Sequence, residues 1–563
     1  MKKIAAWLAT VALGLSCLAC YAGSATAAKP QADLFQDVNA GPSGSYPEAF
    51  IPFGDGLFTS VQNGSTGFEP SIVEGGRLRL ITDIWPGLEP SDPGPGVELG
   101  GMMYFAADDE AHGRELWRTE GTTTELVLDI NPGPGSSSPD ELTVAGGRAF
   151  FSATDPTHGR ELWQVNGGTA SLVMDIYPGA IASGPSSLTG FLDKAYFAAY
   201  SPADGNELWS SDGTVTAEVS NLSPLSSSSN PSDLTVAGSN LYMAATDNVH
   251  GYELFKSSGG PVTLTTDLEP GIGSSSPTNL HRFGNRLLFR AFQTGAGTEP
   301  WISDGTTSSR LADIVPGPES SFPGNFVEMG GQAYFTAFNE ADGSEIYRTD
   351  GSAATLAGPL IPGDGGSVYG LKVIDGVIYF SAYTPENGSE PWLFDGTSAY
   401  MVRDVLPGPE GSIPVAFTKL GDSVIFGADD GIHGGEPWVI HPDREVKLRL
   451  LGSRAGVSRK GYAALRLSCP ASEPNGPCVS KITVTTRKPV RVGKKRRRVM
   501  LSKKSIQVIA GNTGTARITF SRKHIGLLSR SSAARKVLVR IRVNDYAGNR
   551  QTITRKFKLG RPA

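Results

Sequence analysis

Gly159-Arg160-Glu161-Leu162-Trp163 is the stretch whose recurrence decides the architecture. Counted from its glutamate, related stretches stand at Glu69, Glu115, Glu161, Glu207, Glu253, Glu299, Glu345, Glu390 and Glu436. Each step is 46 residues, except for one of 45 between Glu345 and Glu390. A period held this long marks a repeat array, in which no unit buries its apolar face alone.

One unit reads outward from Glu161 as four short strands. Leu142 to Ala145 turns at Gly146-Gly147 into Ala149 to Ala153, whose loop ends at His158-Gly159. Glu161 to Val165 turns at Asn166-Gly167 into Ser171 to Ile176, and Pro178-Gly179 opens a Ser/Gly/Pro-rich connection. Short β-branched and aromatic runs separated by Gly-Gly and Asn-Gly are hairpin signals. Four antiparallel strands in this span is the size of a propeller blade, and a linear β-solenoid, with shorter coils, is the rival.

The two ends of the array favour a closed ring. The last copy stops at Trp438-Val439-Ile440-His441 without a fourth strand, and Leu34 to Gly41 supplies such a piece at the other end. Asp37 keeps the 46-residue step to Asp83, Asp129 and Asp175. An N-terminal strand completing the last blade would leave no sheet edge exposed, and this predicts nine blades.

The copies Trp209-Ser210-Ser211-Asp212-Gly213-Thr214 and Trp301-Ile302-Ser303-Asp304-Gly305-Thr306 resemble the bacterial ELWxxDGT-repeat family, also described as hyalin-like. Other copies drift: Phe255 replaces the tryptophan, and Asn166-Gly167-Gly168 replaces Asp-Gly-Thr. The resemblance covers about three quarters of the chain. It implies an exported, propeller-like surface protein and supplies no catalytic residues.

Residues that every copy repeats are those that every blade needs. Glycine precedes the glutamate by two in all nine copies, which fits a positive φ or a close backbone approach. Glu115, Glu161, Glu207, Glu299, Glu390 and Glu436, each followed two residues later by Trp117, Trp163, Trp209, Trp301, Trp392 or Trp438, read as framework. The carboxylate would accept backbone N–H groups from a neighbouring loop, and the ring would fill the wedge between blades. Cation binding is the sharper alternative, with calcium held by the glutamate and by Asp109, Asp155, Asp247 or Asp430 six positions earlier. Asp83, Asp129 and Asp175 stand before a Pro-Gly turn or its equivalent and suit an Asx bond. His112, His158, His250 and His433 occupy one repeat position, which a ring holds apart. No HExxH, Walker or GxSxG motif is present.

Residues 1–28 read as a signal peptide: Lys2-Lys3, an apolar run from Ile4 to Cys20, and the cleavage signal Ala25-Thr26-Ala27. Lipidation at Cys20 is the minor alternative, weakened by Cys17 three residues before it. Cys469 and Cys478 are the two cysteines left after the signal, and export favours a local disulfide between them.

The net charge of −6 hides a division. From Arg444 onward stand 31 of the 50 Lys and Arg residues and three acidic ones (Glu445, Glu473, Asp545), giving +28; the remainder carries −34. Three segments follow: signal peptide 1–28, a propeller over 29–442, and a basic domain over 443–563. Seven longer alternating strands in the last suggest an immunoglobulin-like β-sandwich, with Lys523 to Leu528 as a short helical turn. The layout also resembles C-terminal β-domains of exported actinobacterial proteins.

The expected class is a secreted or cell-surface binding protein, monomeric and without a resident cofactor. The propeller loops would meet a glycan or protein, and the basic domain an anionic envelope polymer. A basic domain docked on the acidic propeller is the plain alternative. Nucleic acid is disfavoured because stacking aromatics are scarce in the tail. A polysaccharide hydrolase or lyase in the funnel is the enzymatic alternative, for which no carboxylate pair stands out.

Overall fold

The computed structural model describes residues 30–223, 227–341, 343–358, 367–441, 448–468, 478–508, 513–544 and 550–562. Two compact units divide between residues 442 and 443. The signal peptide, the Cys469–Cys478 pairing and the Asp545 to Asn549 turn lie outside the described residues.

The first unit is a nine-bladed all-β propeller, with nine four-stranded antiparallel sheets among the described residues. The blade around Glu161 is built of Asp140–Ala145, Arg148–Asp155, Gly159–Asn166 and Thr169–Met174, hydrogen-bonded in that order. The strand positions follow alternation: Phe151 faces Trp163 and Ala153 faces Glu161 across the central pair. Seven of the nine first strands are bulged, and in this blade the register shifts between Asp140 and Thr143, with Glu141 at φ +56°. The bulge frees a threonine to reach the next blade. Thr143 Oγ1 donates to the Leu188 carbonyl at 3.0 Å, and Thr189 Oγ1 does the same to Leu234 at 3.1 Å. The first strands thus tie one blade to the next along the inner wall of the ring.

The core lies between blades. Tyr104, Leu116 and Ile130 of one blade pack with Phe151, Trp163 and Val165 of the next. The same arrangement joins Phe150 and Leu162 to Phe197 and Trp209 one step on. Phe105, Phe151, Phe197, Phe289 and Phe335 are all fully buried at equivalent positions. Burying such a ring contributes roughly 1.5–3 kcal/mol, so each seam is held chiefly by apolar contact.

The ring closes through its N-terminus. Gln31–Leu34 pairs antiparallel with Gly435–His441, with Leu34 opposite Trp438 and Ala32 opposite Ile440. The closing strand lies before the expected piece Leu34 to Gly41 and shares only Leu34 with it, while Val38, Asn39 and Ser45 serve a buried carboxylate described below.

The second unit is β-rich and carries all seven expected strands, with Arg454–Val457 and a small hairpin added. The sequence suggested two antiparallel sheets. The described strands form one connected network, in which Arg454–Val457 bridges by pairing parallel to Arg550–Pro562 and antiparallel to Tyr462–Ser468. The short helical turn is a nine-residue helix, Arg522–Arg530, capped where Ser521 accepts from the His524 N–H. Its Leu528 is buried in a core with Leu465, Leu467, Ile482, Val539 and Ile541.

Candidate functional site

The repeated glutamates are buried acceptors. Glu161 has no exposed surface, and its carboxylate takes four hydrogen bonds from the chain that leads to the next blade. Oε2 accepts Ile176 N–H at 3.1 Å and Ser183 Oγ–H at 2.5 Å. Oε1 accepts Ser183 N–H at 2.9 Å and Tyr177 N–H at 3.4 Å. One side chain thereby fixes both ends of an inter-blade connection. Desolvation pushes the Glu161 carboxyl above its ordinary value, against the lowering pull of Ser183 and the backbone donors.

The same clamp recurs. Ser91, Ser137, Ser229, Ser275, Ser321 and Ser412 donate through Oγ to Glu69, Glu115, Glu207, Glu253, Glu299 and Glu390 at 2.5–2.8 Å. In the closing blade the donors come from the other end of the chain: Glu436 accepts Val38 N–H and Asn39 N–H at 3.0 Å and Ser45 Oγ–H at 2.7 Å. Glu345 is equally buried. These serines, 22 residues after their glutamates, escaped the sequence reading because they sit in a Ser/Gly/Pro-rich connection whose other serines mask the fixed spacing.

Gly159 shows why glycine stands beside the clamp. Its φ is +72°, and a Cβ there would lie 2.9 Å from the Ala182 nitrogen and the Ile181 carbonyl carbon. Both the conformation and the approach of the inter-blade connection demand the missing side chain. Trp163 and Trp301, 7% and 4% exposed, fill the seams between blades and offer no open stacking platform.

The aspartates offered as calcium ligands are engaged elsewhere. Asp155 Oδ1 accepts Thr157 N–H and His158 N–H at 2.7 and 2.8 Å, while Oδ2 meets His158 Nδ1 at 2.7 Å. Asp109 with His112, Asp247 with His250 and Asp430 with His433 repeat the loop, their ring contacts at 2.7–2.8 Å. The hydrogen bond that Asp109 accepts raises the His112 pKa, and Asp155, Asp247 and Asp430 do the same for their histidines. Burial alone would raise the Asp155, Asp247 and Asp430 carboxyls, but the bonds from ring and backbone outweigh it and lower them. Each aspartate closes its own loop and each glutamate its own connection. Among the described residues no three His, Cys, Asp or Glu side chains are grouped as metal ligands, and the four candidate aspartates Asp109, Asp155, Asp247 and Asp430 are each held by their own loop.

Asp129 and Asp175 accept Gly133 N–H and Gly179 N–H, four residues on, at 3.1 Å and so brace the Pro-Gly bends. The surface open to recognition is the exposed part of the loops. The connection around Gly159 touches the loop before Glu161, so both emerge at one end of the ring. Exposed at equivalent connections or loops are Leu88, Ile181, Ile272, Phe322, Ile413 and Ile432, with relative exposures from 58% to 87%. Their identities change from blade to blade.

The second unit contributes a different surface. Val537, Val539, Ile541 and Val543 are buried, while Arg540 and Arg542 alternate outward. Val490–Val492 and Lys495–Arg497 form a hairpin whose Arg491 and Lys494 to Arg498 are all exposed.

A family model described as outer membrane protein assembly factor BamB matches residues 105–260, within the propeller. No curated protein matches the chain. Among solved structures, PorZ, a surface component of the type IX secretion system of Porphyromonas gingivalis, aligns with TM-score 0.32 and 11% identity, covering 91% of this chain and 75% of that one. A prolyl endopeptidase aligns with TM-score 0.34 and 11% identity, covering 81% of this chain and 55% of that one, little more than half its length.

Proposed function

We propose that the chain is a non-enzymatic binding protein of the bacterial cell surface, exported and monomeric, kin to the ELWxxDGT-repeat proteins. Its propeller presents loops to a glycan or protein ligand, and its basic C-terminal domain, read as a sandwich, associates with an anionic envelope polymer. The observation that carries this reading is the set of exposed apolar side chains, Leu88, Ile181, Ile272, Phe322, Ile413 and Ile432, standing on loops at one end of a ring whose invariant residues are buried. Apolar groups held in water at variable loop positions mark an interaction surface. The buried glutamates have no access to substrate, which removes the repeated carboxylates from any glycosidase pair. The envelope location draws support from the family description matched by the propeller.

The test is a binding and turnover experiment on the secreted chain. Incubated with cell-wall sacculi, the protein is expected in the pellet and released by salt of about 1 M, where the Debye length is only ~3 Å. Retention unchanged by salt would argue against the electrostatic association. Release of reducing ends from a glycan panel would replace the binding reading with an enzymatic one.

A further inference from the structure

The outer face of the C-terminal sheet carries a basic groove. Met500–Val508, Cys478–Thr486, Lys536–Asn544 and Arg550–Pro562 lie side by side. Register places Lys503, Thr483, Arg540 and Thr554 in one cross-strand row. Lys481 and Arg542 stand opposite each other in the next row. With Arg498 these side chains line a groove of about 640 Å³. The opposite face is the apolar core, with Ile482, Val484, Val539 and Ile541 buried. None of the domain's described residues is Asp or Glu. Every ion pair found among the described residues lies in the propeller. Among the described residues the groove cations have no acidic partner.

We propose that this groove binds a linear phosphodiester polymer, an inference that rests on the envelope-association reading above and names its site and ligand chemistry. The charges form rows rather than a cup. Neighbouring strands are about 4.8 Å apart and alternate residues on one strand about 6.8 Å apart, so successive anions of an extended chain each meet their own donors. In the Thr483 row, Lys503, Arg540 and two threonine hydroxyls approach from four strands. A tetrahedral phosphodiester accepts from several directions at once, whereas the lone pairs of a carboxylate lie in one plane; arginine adds a fork matched to two phosphate oxygens. The groove lining has no aromatic ring to stack a base, and its apolar members are only Met500 and Leu538. A polyol phosphate fits this lining better than a nucleic acid or a bilayer.

The experiment titrates the full secreted chain with lipid-free poly(glycerol phosphate), polyglutamate and anionic phospholipid vesicles, for the wild type and two triple variants. The groove variant combines Lys481→Gln, Arg540→Gln and Arg542→Gln. The control combines Lys494→Gln, Arg496→Gln and Arg497→Gln on the hairpin, with the same change in charge. Melting curves for each establish that the variants are folded. Poly(glycerol phosphate) is expected to bind the wild type in preference to the other probes, with a salt-dependent affinity. The groove variant should lose more than about tenfold, as expected for lost charge-assisted bonds, and the hairpin control markedly less. Equal losses in both variants, or equal binding of polyglutamate or vesicles, would overturn the site or its ligand while leaving envelope association standing. A wild type that binds none of the three would remove the association reading itself.

Discussion

Ser45 Oγ donates to Glu436 Oε2 at 2.7 Å, joining residues 391 positions apart in the chain. It is the same bond that Ser183 makes to Glu161 within a span of 22 residues. One local device, used from blade to blade, also serves as the fastener of the whole ring.

Removing that fastener should cost more than its hydrogen bond. Ser45→Ala leaves a buried carboxylate short of a donor, and a loss of about 1–3 kcal/mol is expected. Ser183→Ala should cost a similar amount, since the geometry matches. A double-mutant cycle of Ser45→Ala with Glu436→Gln, followed by urea unfolding, should give a coupling of about 1 kcal/mol or more. Additive losses would show that the two do not act together.

Trp163→Ala empties part of the seam between two blades. A loss of about 3–5 kcal/mol is expected, the range for large buried rings. Arg491→Ala on the exposed hairpin should change stability by less than about 0.5 kcal/mol. Thermal melts of the two variants, read beside the wild type, check the contrast.

Stability should fall as pH rises from mildly acidic to above neutral. The clamp glutamates bind protons more tightly folded than unfolded, so their contribution declines as pH passes from 4.5 through their raised folded values. The histidines act in the same sense higher up: their contribution is full below 6.5 and lost as pH climbs through their raised values. Asp155, Asp247 and Asp430 oppose this only in strong acid, because their stabilisation holds above 3.8 and is lost through their depressed values. The midpoint temperature measured from pH 4 to 9 should decline, and His158→Gln should flatten the upper part. A midpoint that rises across that interval would contradict the assignment.

Calcium should leave the melting midpoint unchanged relative to EGTA, since Asp109, Asp155, Asp247 and Asp430 are occupied by their own loops. A rise with added calcium, abolished by Asp155→Asn, would restore the cation reading.

The blade number was legible because spacing survives drift: Phe255 and Tyr347 replace tryptophan without disturbing the 46-residue step. Closure was legible from an incomplete last copy and a leading Asp37 in phase. Less legible was which residue meets which. Asp155 and Glu161 lie six apart and invite a shared ion, yet backbone N–H groups at the strand ends engage each separately. Sequence spacing locates carboxylates but does not say where the nearest unpaired donors point. In the basic domain, alternation identified the outward face of Val537 to Val543. The bridge through Arg454–Val457 was not read, because a four-residue strand in a glycine-containing segment carries little periodic signal.

The pairing of Gln31–Leu34 with Gly435–His441 also sets a timetable. As the exported chain emerges from its N-terminus, successive blades can form as soon as their four strands are free, whereas Gln31–Leu34 must wait for Gly435–His441. Until then the growing chain is an open arc with two unpartnered ends, able to accept the strand of another copy. The step that completes the molecule has the highest contact order in it and should be the slowest. A circular permutant that joins residues 31–34 directly behind residue 441 would remove that wait.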